Sequence, residues 1–511
     1  MGKFMKGGVF MNACKKIFCL LLALVCCLGV FVGCKKDGDT QDTVEVMTKE
    51  PEGDNVDPKT SDDLDANYNF KKDAYTILSR KETDYEFKGD SESDATFLEQ
   101  AVYDRNAYVE ARCTVEIEVQ TRMGNWWDRQ IFITGVRNDM AAATSQYDLV
   151  AGHSAVLLSL ALEGAGTDLT QLPNMNFTKR WWSEAYYKTA NYNGAMYLAL
   201  GDITYSLYEY TMVFFFNEGL AEDYKLGDMY ELALDGDWNF EALQTNTKMV
   251  TTNLDLPEEQ QIFGFLANGH GLHSFVDSFG IDLIKMRGED RIVDESLSLE
   301  QLDPMQKVFD FVTETEQVRA DFQNDNSKDV HNRLFTNNQA LFYQQMLGQA
   351  IAIKAAGMQN YGVLPYPKYD ENQLQYYTTY CDDLTAIMVP VKVKDKTMAG
   401  TVTEMLCMES YRTVTAVYYE ETLKYQAFDN PDCVETLEMI RTSLTPSYAT
   451  IFGGAFNSPP KSMLGNVVQY KVLDGKDEGF SHYWGELYGT WQGELSTMFD
   501  KLDALAEKNA Q

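Results

Sequence analysis

A run of alternating periods between residues 74 and 153 constrains this chain most. "AYTILS" (74–79) and "CTVEIEVQ" (113–120) read as strands, and the second alternates Val115, Ile117 and Val119 with Glu116 and Glu118, as a strand with one covered face does. Between them, "DATFLEQAVYDRNAYVEAR" sets Phe97, Ala101, Val102 and Tyr108 at helical spacing. A strand, a helix and a strand make a parallel unit, because parallel neighbours need a crossover. "WDRQIFITGVRNDMAAAT" predicts another helix and "YDLVAGH" a short buried strand from 147 to 152. The product is an open α/β sheet, whose ligands sit beyond the carboxyl ends of the strands. Arg80, Lys81 and Glu82 then follow the first strand, and His153 and Ser154 the third, along one rim.

The chain next turns dense in aromatics and β-formers, through "GAMYLALGDITYSLYEYTMVFFFNEGLAEDYKL", where "TMVFFFN" is a strand running into a helix. In "DGDWNFEAL", Asp237 is placed to cap a helix beginning near Trp238. A second α/β unit is expected to reach about residue 325, with "QQIFGFL" as a strand. "RLFTNNQALFYQQM" and "YGVLPYPK" read as strands preceded by a helix end, and "LTAIMVPV" as an apolar strand stopped by Pro390. Apolar spacing is helical from 397 to 419, and "LYGTWQGELSTMFDKLDALAEK" predicts a long amphipathic closing helix. No internal repeat of about 20 to 50 residues is evident.

The chain carries 43 Lys plus Arg against 77 Asp plus Glu, a formal net charge of −34, which is the wrong sign for nucleic acid or an anionic lipid surface. The acidity is read as solubility. Apolar residues make up 45% and aromatics 13%, enough for real cores. At the N-terminus, Lys15 and Lys16 precede an almost unbroken apolar stretch, 17–32, the layout of a secretory signal rather than of a spanning helix. Gly33 directly before Cys34 resembles the lipobox of bacterial lipoproteins, in which the cysteine is acylated and becomes the new N-terminus; Phe31 stands where that motif usually has Leu. Residues 35–70 are too polar to offset the entropy of ordering and are expected to be a disordered tether. Five of the nine cysteines fall in the signal and lipobox. Cys113, Cys381, Cys407 and Cys433 are expected as small buried hydrophobes, with pairing left open. "GHGLH" sets His270 and His273 three apart without a third ligand, so no metal or other cofactor is expected.

The order and spacing of these segments resembles the extracellular solute-binding proteins of ABC importers, in particular the maltose-binding-like family. The segments that carry the likeness are "YDLV", "NGAMYLAL…MVFFFNEGLAED" with Asn217 near its strand end, Trp238 in "DWNFEAL", "LFTNNQALFY", "YGVLPYPK" and "LTAIMVPV", over roughly residues 72 to 505. "TSQYDLVAGH" and "SLYEYTMV" depart from a typical sugar binder. The resemblance implies a two-lobed α/β periplasmic-binding-protein-like fold of type II, with lobes joined by crossing hinge strands and closing on a solute. The expected organisation is a signal over 1–34, the tether over 35–70, a first lobe from 71–200 plus about 326–392, and a second from 201–325 plus about 393–511. Implied partners are a small-molecule solute, carbohydrate by class, and the permease subunits. A lipid anchor on Cys34 would hold the chain at the extracytoplasmic face of the membrane, and the chain is expected to be monomeric.

Sugars offer apolar ring faces and hydroxyls, so their sites pair aromatic platforms with carboxylates or amides. Carried over by segment, the expected ligand contacts are Arg80, Glu82, His153 and Ser154 from the strand ends. Tyr208, Glu209, Gln344, Asp382 and Asp383 are added from the crossing strands, and Trp484 as a stacking aromatic. Trp126, Trp127, Trp181 and Trp182 form adjacent pairs, each with one member expected to be buried and neither assigned to ligand. An exported glycoside hydrolase using two carboxylates is the alternative from another class, and a peptide-binding or purely structural surface lipoprotein a third. No Gly-x-Ser-x-Gly, P-loop or His-Glu-x-x-His motif is present, and the expectation is a non-enzyme.

Overall fold

A computed structural model of the chain describes residues 60–64, 68–250, 252–287, 290–293, 299–321, 326–428, 430–476 and 478–509. The signal, Cys34 and the tether as far as residue 59 lie outside the described residues. The described strands are β1 (Asp73–Arg80), β2 (Val115–Arg122), β3 (Leu149–His153), β4 (Met212–Asn217), β5 (Phe263–Ala267), β6 (Ile284–Arg287), β7 (Asp290–Val293), β8 (Val318–Ala320), β9 (Ala340–Met346), β10 (Tyr361–Leu364) and β11 (Thr385–Met388). The helices that matter most below are α1 (Phe97–Cys113), α2 (Arg129–Ala141), α3 (Ser154–Ala161), α4 (Ser206–Glu209), α5 (Gly269–Ser278), α6 (Lys396–Arg412) and α7 (Phe480–Asn509).

The expected strand–helix–strand run builds the first sheet, in the order β11–β3–β1–β2. β1 lies parallel to β2 and β3, with Ile77 opposite both Val119 and Leu149, and β11 closes the sheet antiparallel to β3. α1 starts on a capping box in which Thr96 and Glu99 satisfy each other's backbone N–H groups. The second sheet runs β10–β4–β9–β5–β8, and β6 and β7 form a separate hairpin. Every residue of β4 is buried, as expected for a central strand covered on both faces. Phe214 alone meets the rings of Trp238, Phe265, Phe275, Phe342 and Tyr366, at centroid distances from 4.8 to 6.4 Å. Burying one such side chain is worth about 1.5–3 kcal/mol, so this strand anchors the second lobe.

The sheets correct the expected lobe boundaries. β9 and β10, placed in the first lobe by the sequence reading, pair with β4 and β5 in the second. α6, assigned to the second lobe, packs on the first: Tyr75 Oη and Thr403 Oγ1 share a hydrogen bond of 2.6 Å, and Arg105 donates to Ser410 Oγ at 3.0 Å. The first lobe is therefore built from β1 to β3 with β11 and α6, and the second from β4 to β10. The chain crosses between them at 200–211, where Ala199 pairs with Ile387 and Thr211 with Tyr380, and returns before β11. After α6 the chain runs through a π-helical stretch, Val417–Ala427, to Phe428, which packs on Phe215 and Tyr361 of the second lobe. α7 spans both lobes, with Phe480 against Phe309 at one end and Phe499 against Tyr192 at the other.

Smaller expectations shift too. The helix after Trp238 is capped by Asn239, whose side chain accepts from Ala242 N–H at 3.0 Å, rather than by Asp237. The helix expected over 397–419 breaks at Arg412. The last residues of the presumed tether are docked: Asp62 pairs with Arg112 and Asp63 with Lys179, while Phe70 N–H reaches Cys113 O at 3.0 Å. Residues 60–64 and 68–70 thus pack against the first lobe. Cys113, Cys381, Cys407 and Cys433 are free and buried. No described helix is long and apolar enough to cross a membrane.

Candidate functional site

The carboxyl ends of β1 and β3 meet the start of β11, and the side chains there form one bonded group. Arg80 is buried: its Nε donates to Thr83 Oγ1 at 3.0 Å, and Nη2 donates to the Asp383 carbonyl and, at 3.4 Å, to Thr385 Oγ1. Its guanidinium also lies 5.8 Å from the ring centroid of Tyr210. Arg80 therefore fixes the strand end to the crossing segment. His153 Nδ1 accepts from Ala155 N–H at 3.2 Å, which leaves Nε2 to donate to Asp383 Oδ1 at 2.7 Å. Burial pushes the Asp383 carboxyl up, but the His153 bond, with His153, His270 and Arg80 close by, outweighs it and holds the group at about 2. Its side chain is 39% exposed, so an ionised carboxylate with a fixed partner faces the junction. Ser154 Oγ donates to Asp382 O at 2.7 Å, closing the same corner.

Two elements frame this group. Glu82 accepts from Gly124 N–H at 3.1 Å and so holds the loop after β2. Gly124 is needed there, because a Cβ would come within 2.9 Å of both Arg80 and Phe132. That loop presents Trp126, 43% exposed, and Trp127, 78% exposed. The Trp126 ring lies 5.6 Å from that of His153, and Arg129 stacks over it at 4.1 Å while donating to its carbonyl. From the second lobe, His270 in the first turn of α5 brings Nδ1 to 3.9 Å from Cys381 Sγ on the crossing. Burial, followed by the charges of Asp383 and Asp382, pushes the Cys381 thiol well above its ordinary value, so it is not poised as a nucleophile. No cluster of three or more His, Cys, Asp or Glu able to hold a metal occurs among the described residues.

Of the residues expected at the site, the structure brings together Arg80, Glu82, His153, Ser154, Asp382 and Asp383. Four others are engaged elsewhere. Tyr208 is buried and donates to Asp202 at 2.8 Å. Glu209 accepts from Tyr85 Oη at 2.7 Å. Gln344 is fully buried within the second sheet, exchanging hydrogen bonds of 3.0 Å with the backbone and side chain of Asn268, and so steadies the loop that carries His270. Trp484 packs along α7 against Tyr488 and Trp491 rather than on the strand-end group. The sequence reading left out Trp126, Trp127, Tyr210 and His270. The first two were within reach of the strand-end rule, since "MGNWW" follows directly on β2.

The two-lobed α/β fold is shared by solved structures. An ABC substrate-binding protein from Listeria monocytogenes in complex with cycloalternan superposes with a TM-score of 0.50 at 14% identity, over 86% of this chain and 99% of that one. A cyclo/maltodextrin-binding protein complexed with maltotetraose gives 0.52 at 13%, over 86% and 97%. Maltose-bound T. maritima MalE3 gives 0.50 at 13%, over 84% and 99%. The fold is that of the two-lobed ABC solute-binding proteins. Identities this low establish the fold alone. No protein-family model matches the chain, and no curated protein matches it.

Proposed function

We propose that this protein is the solute receptor of an ABC importer, that its solute is a carbohydrate, and that a lipid on Cys34 tethers it beside its permease. The observation that carries the reading is the half-exposed Trp126 ring, 5.6 Å from the His153 ring that holds the ionised Asp383. An aromatic face and an oriented carboxylate are what a sugar ring and its hydroxyls require. The solutes named for the similar structures, cycloalternan, maltotetraose and maltose, are all carbohydrates and support the same class. A ligand that touches both lobes stabilises their closure, and a tether raises the local concentration of the receptor at its pump.

The test is a thermal-shift screen of the detergent-solubilised protein against mono- and oligosaccharides, polyols, amino acids and peptides, with chemical recovery of each hit. A carbohydrate at one hundred times its dissociation constant should stabilise the fold by about 2.7 kcal/mol and be recovered intact. Trp126→Ala should weaken that binding by about 2 kcal/mol, roughly thirtyfold, while leaving the ligand-free midpoint in place. A sugar consumed during the assay would replace the receptor by an enzyme, and shifts confined to amino acids or peptides would remove the carbohydrate assignment. Intact mass reads the anchor: Cys34→Ser should abolish a lipid-sized increment, and its absence from the wild type would dismiss the tether.

A further inference from the structure

The short helix that carries the chain out of the first lobe is held by carboxyl groups. In α4, the Ser206 N–H donates to Glu86 Oε1 at 2.9 Å, and Glu209 Oε2 accepts from Tyr85 Oη at 2.7 Å. The backbone carbonyl of Glu209 accepts at 2.9 Å from Gly348 N–H, two residues past β9 of the second lobe. Glu209 is thus tied to one lobe by its side chain and to the other by its backbone. Glu86 is fully buried, and its Oε2 has no hydrogen-bond partner. Thr385 Oγ1, which faces that carboxyl, is shared with Thr83, and Arg105 gives its Nη2 to the Glu86 backbone carbonyl rather than to the side chain. A buried carboxyl bonded through one oxygen only is more stable with a proton on it than without.

We infer that Glu209, acting with Glu86, is a proton-controlled latch on the hinge: while the pair holds a proton the helix stays packed against the first lobe, and losing that proton loosens the crossing. The groups facing the pair are Tyr85 beside Glu86, Arg80 at the end of β1, Tyr205 on the crossing, Tyr418 on the π-helical stretch, and Arg105 on α1, with Glu99 of α1 acting on Tyr205. Tyr210, next in the chain, feels Arg80, Asp383 and Glu209. Burial pushes the Glu209 carboxyl up; the Tyr85 bond and Arg80 oppose this, the charge of Glu86 reinforces it, and the group titrates at about 7. Glu86 is raised by burial as well, with the nearby Thr385 hydroxyl, the bond from Ser206 and the charge of Arg80 opposing. The sign follows from linkage. A carboxyl that holds its proton more tightly when docked than when solvated favours docking at low pH, and the docked state loses that advantage as pH rises toward about 7. Between the ordinary Glu value and that point, opening gains up to about tenfold per pH unit, and it levels off above.

The latch is a property of the hinge and assumes nothing about the solute, so its test uses no ligand. Hydrogen–deuterium exchange of the full-length protein would be followed in the peptide covering 204–211, from about pH 5 to about pH 8.5, after correction for intrinsic exchange. The wild type should lose protection by up to about a hundredfold between about pH 5 and about pH 7 and then level off. Glu209→Gln should abolish the rise. Tyr85→Phe removes the donor that lowers Glu209 and should move the midpoint to higher pH, which loss of a purely structural contact would not do. A flat wild-type profile, a rise unchanged in Glu209→Gln, or an unmoved midpoint in Tyr85→Phe overturns the latch. If Glu209→Gln does not fold, the wild-type and Tyr85→Phe profiles decide.

Discussion

Glu404, on a helix the first lobe recruits late in the chain, accepts from Trp181 Nε1 at 2.9 Å, from Trp182 Nε1 at 2.8 Å and from Asn176 N–H at 3.1 Å. Both indoles are therefore buried, where one member of each adjacent Trp pair was expected to be. The opposite pair, Trp126 and Trp127, is exposed at both positions. Nothing local distinguishes the two dipeptides, because the carboxylate that satisfies Trp182 lies 222 residues away. Removing it strands two buried indole donors and a half-buried backbone N–H. Glu404→Leu should cost about 3–5 kcal/mol in denaturant unfolding, whereas Trp127→Ala, at 78% exposure, should stay within about 0.5 kcal/mol. Equal costs at the two positions would show that the indole bonds carry no weight.

At the scale of elements, the strands with a clear period were legible and their partners were not. β1, β2 and β4 emerge where alternation or a continuous apolar run puts them, since both patterns are local consequences of burial on one face or two. The lobe to which β9 belongs depends on its pairing with β4 and β5, more than 70 residues away in either register, and no window of the sequence reports that. That Arg80, Glu82, His153, Ser154, Asp382 and Asp383 gather in one place was legible because the strand-end rule needs only the strands. The contacts of Tyr208, Glu209, Gln344 and Trp484 were not, because a side chain's direction on a crossing or a helix depends on its tertiary neighbours. Asp277 shows how such neighbours join elements: from α5 it accepts from Thr379 Oγ1 on the crossing at 2.5 Å, and from Ser447 Oγ and Thr450 Oγ1 at 2.6 and 2.5 Å. Asp277→Ala leaves three hydroxyls without their acceptor and should destabilise the fold by about 2–4 kcal/mol, while Thr379→Val, which removes one bond, should cost about 1–2 kcal/mol. The double variant should cost little more than Asp277→Ala alone, because the two changes delete a shared bond; full additivity would refute the coupling.

The whole molecule sets its buried carboxyls against its net charge. Burial raises Asp148 and Asp202 to about 6, and Glu209 and Glu404 to about 7, in each case against the hydrogen bonds that these groups accept. Burial works the same way on Asp383 and Asp321, but the histidine beside each, His153 and His331, and the nearby Arg80 and Arg319 prevail, and both stand at about 2. The two sets act in different pH windows. A carboxyl whose folded value is raised contributes most below its unfolded value and loses that contribution as pH climbs through the folded value, here from the ordinary Asp and Glu range up to about 7. A carboxyl whose folded value is lowered gives its stability above the ordinary range and loses it as pH falls toward about 2. A formal net charge of −34 at pH 7 repels itself more strongly as the last carboxyls ionise, which adds to the first trend. Stability should therefore peak on the acid side of neutrality, near about pH 5, and the melting midpoint should fall by several degrees between about pH 5.5 and about pH 7.5. Scanning calorimetry at constant ionic strength reads this directly. Glu404→Gln, which cannot ionise, should flatten the fall, and added salt should reduce only the self-repulsive part, because screening reaches surface charges and not buried ones. A midpoint that rises from about pH 5.5 to about pH 7.5 would mean that the buried carboxyls are stabilised as anions, and the hinge latch would lose its basis with them.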